Sequence, residues 1–413
     1  MISFSLVFIT ALAATTTVKL WLAARHIAHV RRHRDSVPAG FAHDISLDAH
    51  QKAADYSIAK TRLEIADIAV EAVALLVLTF GGGLQWLDQL AARFGSGLAH
   101  GLALIALIAA ALTIIDLPLA WRRTFRVEQR FGFNKMTPRM FFGDMLKHVL
   151  LAAALGLPLA GVVLWLMDRM GDEWWIYAWL VWAGFNLLLL TAYPIWIAPL
   201  FNKFSPLEDL QLKRRVEQLL ARCGFRVRGL MVMDGSRRSS HGNAYFTGFG
   251  KAKRIVFFDT LLERLDAPEV EAVLAHELGH FKLRHVIKRM GWNFALSLGL
   301  LWLLSRVMHE TWFYHGLHVS TPSTAMALVL FFLVLPQFTF LLHPLLSFYS
   351  RRHEFEADYY AAQHTPAAAL ISALIKLYKD NAATLTPDPL HSAFYDSHPP
   401  APLRIARLRT YAT

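Results

Sequence analysis

Long apolar runs limit this chain before any motif does. Stretches with few charges recur at 1–22, 67–87, 99–120, 145–167, 174–200, 290–308 and 324–348. A helix needs roughly 20 such residues to cross the hydrocarbon of a bilayer. Soluble domains carry about a quarter charged residues; here 18% of 413 residues are charged and 55% are hydrophobic, with a mean hydropathy of +0.35. Asp67 and Glu71 in the second run, and Pro194 and Pro199 in the fifth, belong on faces turned to protein or water. The first run lacks the charged n-region and small-residue cleavage site of a signal peptide, so it reads as a retained membrane helix.

The basic residues set the orientation. Segment 23–63 holds seven Lys and Arg and 121–141 holds six, and 201–289 and 350–413 are also strongly basic. Segments 88–98 and 168–173 hold one each, and 309–322 holds none. Cytoplasmic loops are the basic ones, so seven spanning helices place the N-terminus outside and the C-terminus in the cytoplasm. Trp174, Trp175, Trp312, Phe313 and Tyr314 fall at the outer boundary, where interfacial aromatics anchor. The net charge of +11 is thereby accounted for without nucleic acid, since the basic residues flank apolar runs rather than interleave with aromatics on a polar domain. The single Cys223 excludes an internal disulfide framework and any multi-cysteine zinc site.

Between the fifth and sixth runs lies a polar segment, 201–289, that contains His276-Glu277-Leu-Gly-His280. Glu269 to Arg284 contains no Pro and has Val270, Val273, Leu274 and Leu278 at helical spacings, with Asp266-Ala-Pro-Glu as a start signal. On a helix, residues four apart share a side, so His276 and His280 can hold one ion while Glu277 on the flank reaches a water bound to it. The same segment reads as a helix over Leu207–Arg222, strands at Gly229–Met233 and Arg254–Phe258, and a third extended piece from Asn243 to Gly248. An extended peptide could add to such a sheet edge and so be presented to the metal; the plain alternative is an α+β cytoplasmic domain. Residues 33–50 and 382–400 read as loops.

A catalytic zinc needs a third protein ligand. Leu283 and Val286 occupy the positions where a metzincin has Gly and His, so that class is excluded. Downstream comes Ser350-Arg-Arg-His-Glu354-Phe-Glu356-Ala-Asp358. If helical, Glu354 and Asp358 share a face and Glu356 points elsewhere. One acid could then ligate zinc and the other hold a ligand imidazole through its second nitrogen; alternatively the acids form a solvated patch balancing Arg351 and Arg352.

These motifs, with Ser397-His398-Pro-Pro, His241-Gly-Asn243-Ala-Tyr-Phe, Phe131-Gly-Phe-Asn134 and Ile197-Ala-Pro-Leu-Phe201, resemble those of the type 1 CAAX prenyl proteases, integral-membrane zinc metalloproteases. The resemblance runs from Tyr56 to Arg404. It implies an α-helical membrane protein whose seven tilted helices enclose a water-filled chamber, capped by a small α+β zinc domain. It also implies one Zn2+ per chain held by His276, His280 and Glu354, with Glu277 as general base and Asp358 orienting a ligand histidine. His398 and Arg404 would line the site and help stabilise the oxyanion, and Asn243 would lie on the peptide-binding strand. Outside the family, a histidine before two prolines reads as a loop histidine.

The expected organisation is helices 1–5 over 1–200, the zinc domain over 201–289, helices 6–7 over 290–348, and a C-terminal segment, 349–413, that completes the site. The expected reaction is peptide-bond hydrolysis by zinc-activated water, on a peptide or protein substrate that carries a prenyl group in the family, with membrane lipid as the other partner. Arg409-Thr-Tyr-Ala-Thr413 shows no dibasic retrieval tail, which favours a bacterial inner membrane over the endoplasmic reticulum and makes the prenyl requirement an open point. Bacterial heat-stress metalloproteases of membrane quality control use the same chemistry on unmodified proteins, but have fewer spans. A transporter, prompted by Asp67, Glu71 and Asp116, or a non-enzymatic scaffold would have no use for the ligand set.

Overall fold

The computed structural model describes residues 3–247 and 254–411. Met1 and Ile2 of the first run, Gly248 of the third extended piece, and Ala412 and Thr413 of the C-terminal stretch lie outside the described residues. The first half of the chain is helical, in α1 (Phe4–Arg32), α2 (Leu47–Leu78), α3 (Gly83–Ala91), α4 (Leu98–Arg122), the three-residue α5 (Gln129–Phe131), α6 (Pro138–Arg169) and α7 (Trp174–Ala192). Among the described residues, five stretches are long and apolar enough to cross a membrane, namely Phe4–Arg32, Leu98–Phe131, Pro138–Arg169, Gly171–Leu200 and Thr324–His364. Their inner faces share a core of Phe8, Leu104, Leu164, Trp174 and Leu330. Leu146, Leu150, Leu180 and Leu188 turn outward and are exposed, as they can be where lipid replaces water. This is a multi-pass integral membrane protein.

The run 67–87 is not one helix. The helix α2 starts far upstream, at a Ser46 cap, and stops at Leu78. At Gly81 a Cβ would lie 2.6 Å from the Val77 carbonyl oxygen, and Gly82 has φ +74°, so the glycines turn the chain where L-residues with side chains would clash. The run 290–308 is the helix α11 (His285–Val307), with Asn293, Ser297, Ser305 and Arg306 diluting its apolar face.

The polar segment folds on a four-stranded sheet, in the order β1 (Phe204–Pro206), β2 (Gly229–Met233), β4 (Arg254–Phe258), β3 (Ala244–Thr247). The β2–β4 pair is parallel, in register Gly229↔Arg254 to Met233↔Phe258; β3 runs antiparallel to β4 at the edge. Around the sheet lie α8 (Leu210–Arg222), the short α9 (Asp259–Leu262) and α10 (Ala267–Lys282). Leu219, Ile255, Phe257, Leu274 and Leu278 form their common core. The chain re-enters the apolar region through α11, a short α12 (Thr311–His315) and α13 (Thr324–Thr339), and continues through α14 (His343–His364). Three helices follow: α15 (Ala367–Asp380), α16 (Pro389–Tyr395) and α17 (Ala401–Arg409). The stretches read as loops are partly helical. The helix α2 begins at Leu47, inside 33–50, and α16 forms inside 382–400 because the Asp388 carboxylate accepts from the Leu390 and His391 N–H groups and Pro389 opens the first turn.

Candidate metal centre

The helix α10 is fixed at its start by a capping box, in which Asp266 accepts from the N3 backbone and Glu269 reaches back to the Asp266 N–H. Further along, Gly279 lets α14 approach closely. A Cβ at Gly279 would stand 3.0 Å from the Ala357 Cα and 3.1 Å from the Tyr360 Cβ. That contact sets the face of α14 with Glu354 and Asp358 against the histidines of α10.

His276 Nε2 lies 3.2 Å from His280 Nε2. Glu354 Oε2 is 3.4 Å from the first of these nitrogens and its Oε1 3.4 Å from the second. Three ligands at zinc–nitrogen and zinc–oxygen bond lengths, tetrahedrally arranged, stand about 3.3 Å apart. One donor atom each from His276, His280 and Glu354 falls within 4.8 Å of the others. Glu354 Oε2 is buried with no hydrogen-bond partner, an arrangement that is costly unless a cation completes it. Burial opposes a charge on His276, yet Asp358 and Glu354 outweigh it and lift the imidazole to about 9. The pocket favours positive charge, and two imidazoles with a carboxylate are a zinc donor set.

Behind His276, its Nδ1 is 2.9 Å from Asp358 Oδ1. Asp358 is 1% exposed and receives both Nε, at 2.8 Å, and Nη2 of Arg404. Arg404, from α17, is also buried. Its Nη1 comes within 3.8 Å of Glu354 Oε2. His398 is the opposite case, open to solvent with its Nε2 3.4 Å from Glu354 Oε1. Glu277 follows His276 on α10, half-buried. Asn243 stands apart. It precedes β3, its side chain accepts from the Ala244 N–H at 2.8 Å, and its carbonyl accepts from Phe258 N–H at 2.9 Å. The edge strand β3 nevertheless lies by α10, with the Phe246 and Phe281 rings 4.9 Å apart.

A cavity of about 570 Å3 reaches His398 and is lined also by Tyr56, Lys60 and Glu64 of α2 and by Tyr378 and Tyr395. Sequence reasoning missed His285, whose Nδ1 is 3.0 Å from His280 Nδ1. The only available signal was a histidine five residues beyond His280.

Two family models match the chain. "CAAX prenyl protease N-terminal, five membrane helices" covers residues 26–203, and "Peptidase family M48" covers 206–412. The chain is 35% identical to a CAAX prenyl protease 1 homolog of Arabidopsis thaliana, over 88% of each chain. It is 36% identical to CAAX prenyl protease 1 of Saccharomyces cerevisiae, over 76% of this chain and 73% of the relative. With the human CAAX prenyl protease 1 homolog it shares 32% identity, over 98% and 95%. The fold matches the crystal structure of S. mikatae Ste24p with a TM-score of 0.92, at 30% identity over 99% of each chain. These matches run along essentially the whole chain, and it belongs to the CAAX prenyl protease 1 family of membrane zinc metallopeptidases, family M48.

Proposed function

We propose that this protein hydrolyses a peptide bond on the C-terminal side of a prenylated cysteine, with His276, His280 and Glu354 holding one zinc ion. The meeting of α10 and α14 carries the reading, because it brings one donor atom each from His276, His280 and Glu354 within 4.8 Å of the others and leaves the buried Glu354 Oε2 without a hydrogen-bond partner. The prenylated substrate class is supported by the relatives, which are CAAX prenyl protease 1 and its homologs. Zinc, when bound, supplies a Lewis acid that acidifies water. The protein's own residues do the rest. Glu277 takes a proton from the attacking water and returns it to the departing amine. His398, open to the cavity, donates to the oxygen on which charge develops. Arg404 has its Nε and Nη2 committed to Asp358 and is buried, so we assign it to holding Asp358 and through it His276, rather than to the oxyanion. An extended peptide adds to the outer edge of β3, which pairs only with β4 among the described residues, with Asn243 at the head of that strand.

In the same reading α2 and α11 join the five apolar stretches to make seven spanning helices around a chamber that includes the 570 Å3 cavity. The zinc domain of 201–289 and the segment after 349 face the cytoplasm, as the Lys and Arg balance supports, and the membrane is a bacterial inner membrane. Purified protein in detergent, offered peptides with and without a farnesylated cysteine, tests this. Wild type should cleave only the farnesylated peptide, and Glu277→Gln should keep its zinc while losing turnover at least 100-fold. Equal cleavage of both peptides would refute the substrate class, and an active Glu277→Gln would remove Glu277 from the chemistry.

A further inference from the structure

The joint between α10 and α11 is unusually tight. Leu283 ends one helix and Arg284, at φ +58°, caps the next. A non-glycine residue in that left-handed region is uncommon. The consequence of the turn is to bring His285 back beneath His280. Their Nδ1 atoms are 3.0 Å apart, and His285 Nε2 is 3.0 Å from Glu356 Oε2. Glu356 Oε1 in turn accepts from Arg352 Nε at 3.0 Å. His285 is buried.

His285, His353 and Glu356 also lie close enough to hold a metal of their own. The rings argue otherwise. His285 and His353 stack at 4.0 Å between centroids with planes 9° apart. Nitrogen lone pairs lie in the plane of each ring, so near-parallel stacked rings direct them side by side instead of converging on one ion. Both nitrogens of His285 are, besides, already engaged.

We propose that His285 and Glu356 are positioning residues that hold His280 in its metal-binding tautomer. The inference rests on the reading of His280 Nε2 as a zinc ligand. A ligating Nε2 carries a lone pair, so the proton of neutral His280 sits on Nδ1 and is donated to His285 Nδ1. His285 then carries its own proton on Nε2 and donates it to the Glu356 carboxylate. One polarity runs through the whole row, and each donor meets an acceptor. Reversing it would place a proton on the atom that faces the metal.

The test measures release of zinc from the loaded full-length protein to a chelator, beside the visible spectrum of the Co2+-substituted protein. The change His285→Leu, which removes both contacts, should speed metal release 10–100-fold, the usual cost of losing such a partner, and shift the cobalt bands. Glu356→Gln should move both readouts in the same direction. His285→Asn, whose side-chain oxygen can accept from His280 Nδ1–H, should restore most of the retention. His353→Phe preserves the stacked ring and should leave both readouts within a factor of three. His280→Ala tests the underlying reading: full metal content there refutes the ligand itself. Loss of metal in His280→Ala, with wild-type release and spectra in His285→Leu and Glu356→Gln, overturns the positioning role alone, as does equal damage from His353→Phe.

Discussion

His276 and His280 stand one helical turn apart on α10, yet they are supported in opposite ways. His276 rests directly on Asp358, a carboxylate 1% exposed and bound by the buried Arg404. His280 rests on a neutral ring, His285, and only through it on Glu356, whose side chain is 33% exposed and pairs with an Arg352 that is 69% exposed. The deep side is a buried ionic contact between three helices, α10, α14 and α17. The shallow side is a row of hydrogen bonds that ends in water. Buried pairs fail expensively when one member is removed, whereas exposed pairs contribute little. The two halves of one metal group therefore differ in how they break.

The largest expected effect is on the deep side. Asp358→Asn strips the charge that Arg404 pairs with in the interior, which costs about 3–5 kcal/mol, and leaves only a neutral, weaker acceptor behind His276. Loss of stability in a thermal melt should accompany metal release faster than that of any shallow-side variant, and a stable, metal-replete Asp358→Asn would erase the contrast.

A change that loosens α10 without touching a ligand sharpens it. The buried Glu269 accepts from Lys376 Nζ at 2.7 Å and from Ser372 Oγ at 2.6 Å. Burial alone would raise its carboxyl, but these bonds outweigh it and hold the value below the ordinary one. A depressed folded value means the stabilisation is complete above the unfolded glutamate value and disappears as pH falls through the folded one. At pH 7, Glu269→Gln should lose about 1–2 kcal/mol, Lys376 being partly in water. The gap from wild type should close in acid, with metal release at neutral pH unchanged. A faster release would mean that retention follows general helix stability and not the two supports.

The smallest effect belongs to the outer end of the shallow row. Arg352→Ala removes an exposed pair four residues apart on α14, worth about 0.3–0.5 kcal/mol, so metal release should change by no more than about twofold. A tenfold change would show that the shallow row is charged throughout and works like the deep one.

Much of this was legible in the residues. The spacing of His276 and His280, the start of α10 at Asp266, and the shared face of Glu354 and Asp358 all depend on helical period alone, and the strands at 229–233 and 254–258 match theirs. Glu356 does point away from the metal group, as helical geometry required. The break of α2 at Leu78 was harder to see, because hydropathy continues across Gly81–Gly83 while the backbone does not. The helix α16 was hidden in a stretch rich in turn-forming residues, where the Asp388 cap decided the outcome.

The sequence by itself determined the membrane-embedded class, the helix that carries His276 and His280 and the small set of acids that could face it, because these follow from hydropathy and from contacts within three or four residues. Only the tertiary structure decided that Arg404 lies behind Asp358, that His398 is open beside the same carboxylate, and that His285 folds back onto His280. Those pairings join residues up to 46 positions apart or hang on one left-handed residue at a helix joint, and no local periodicity records either.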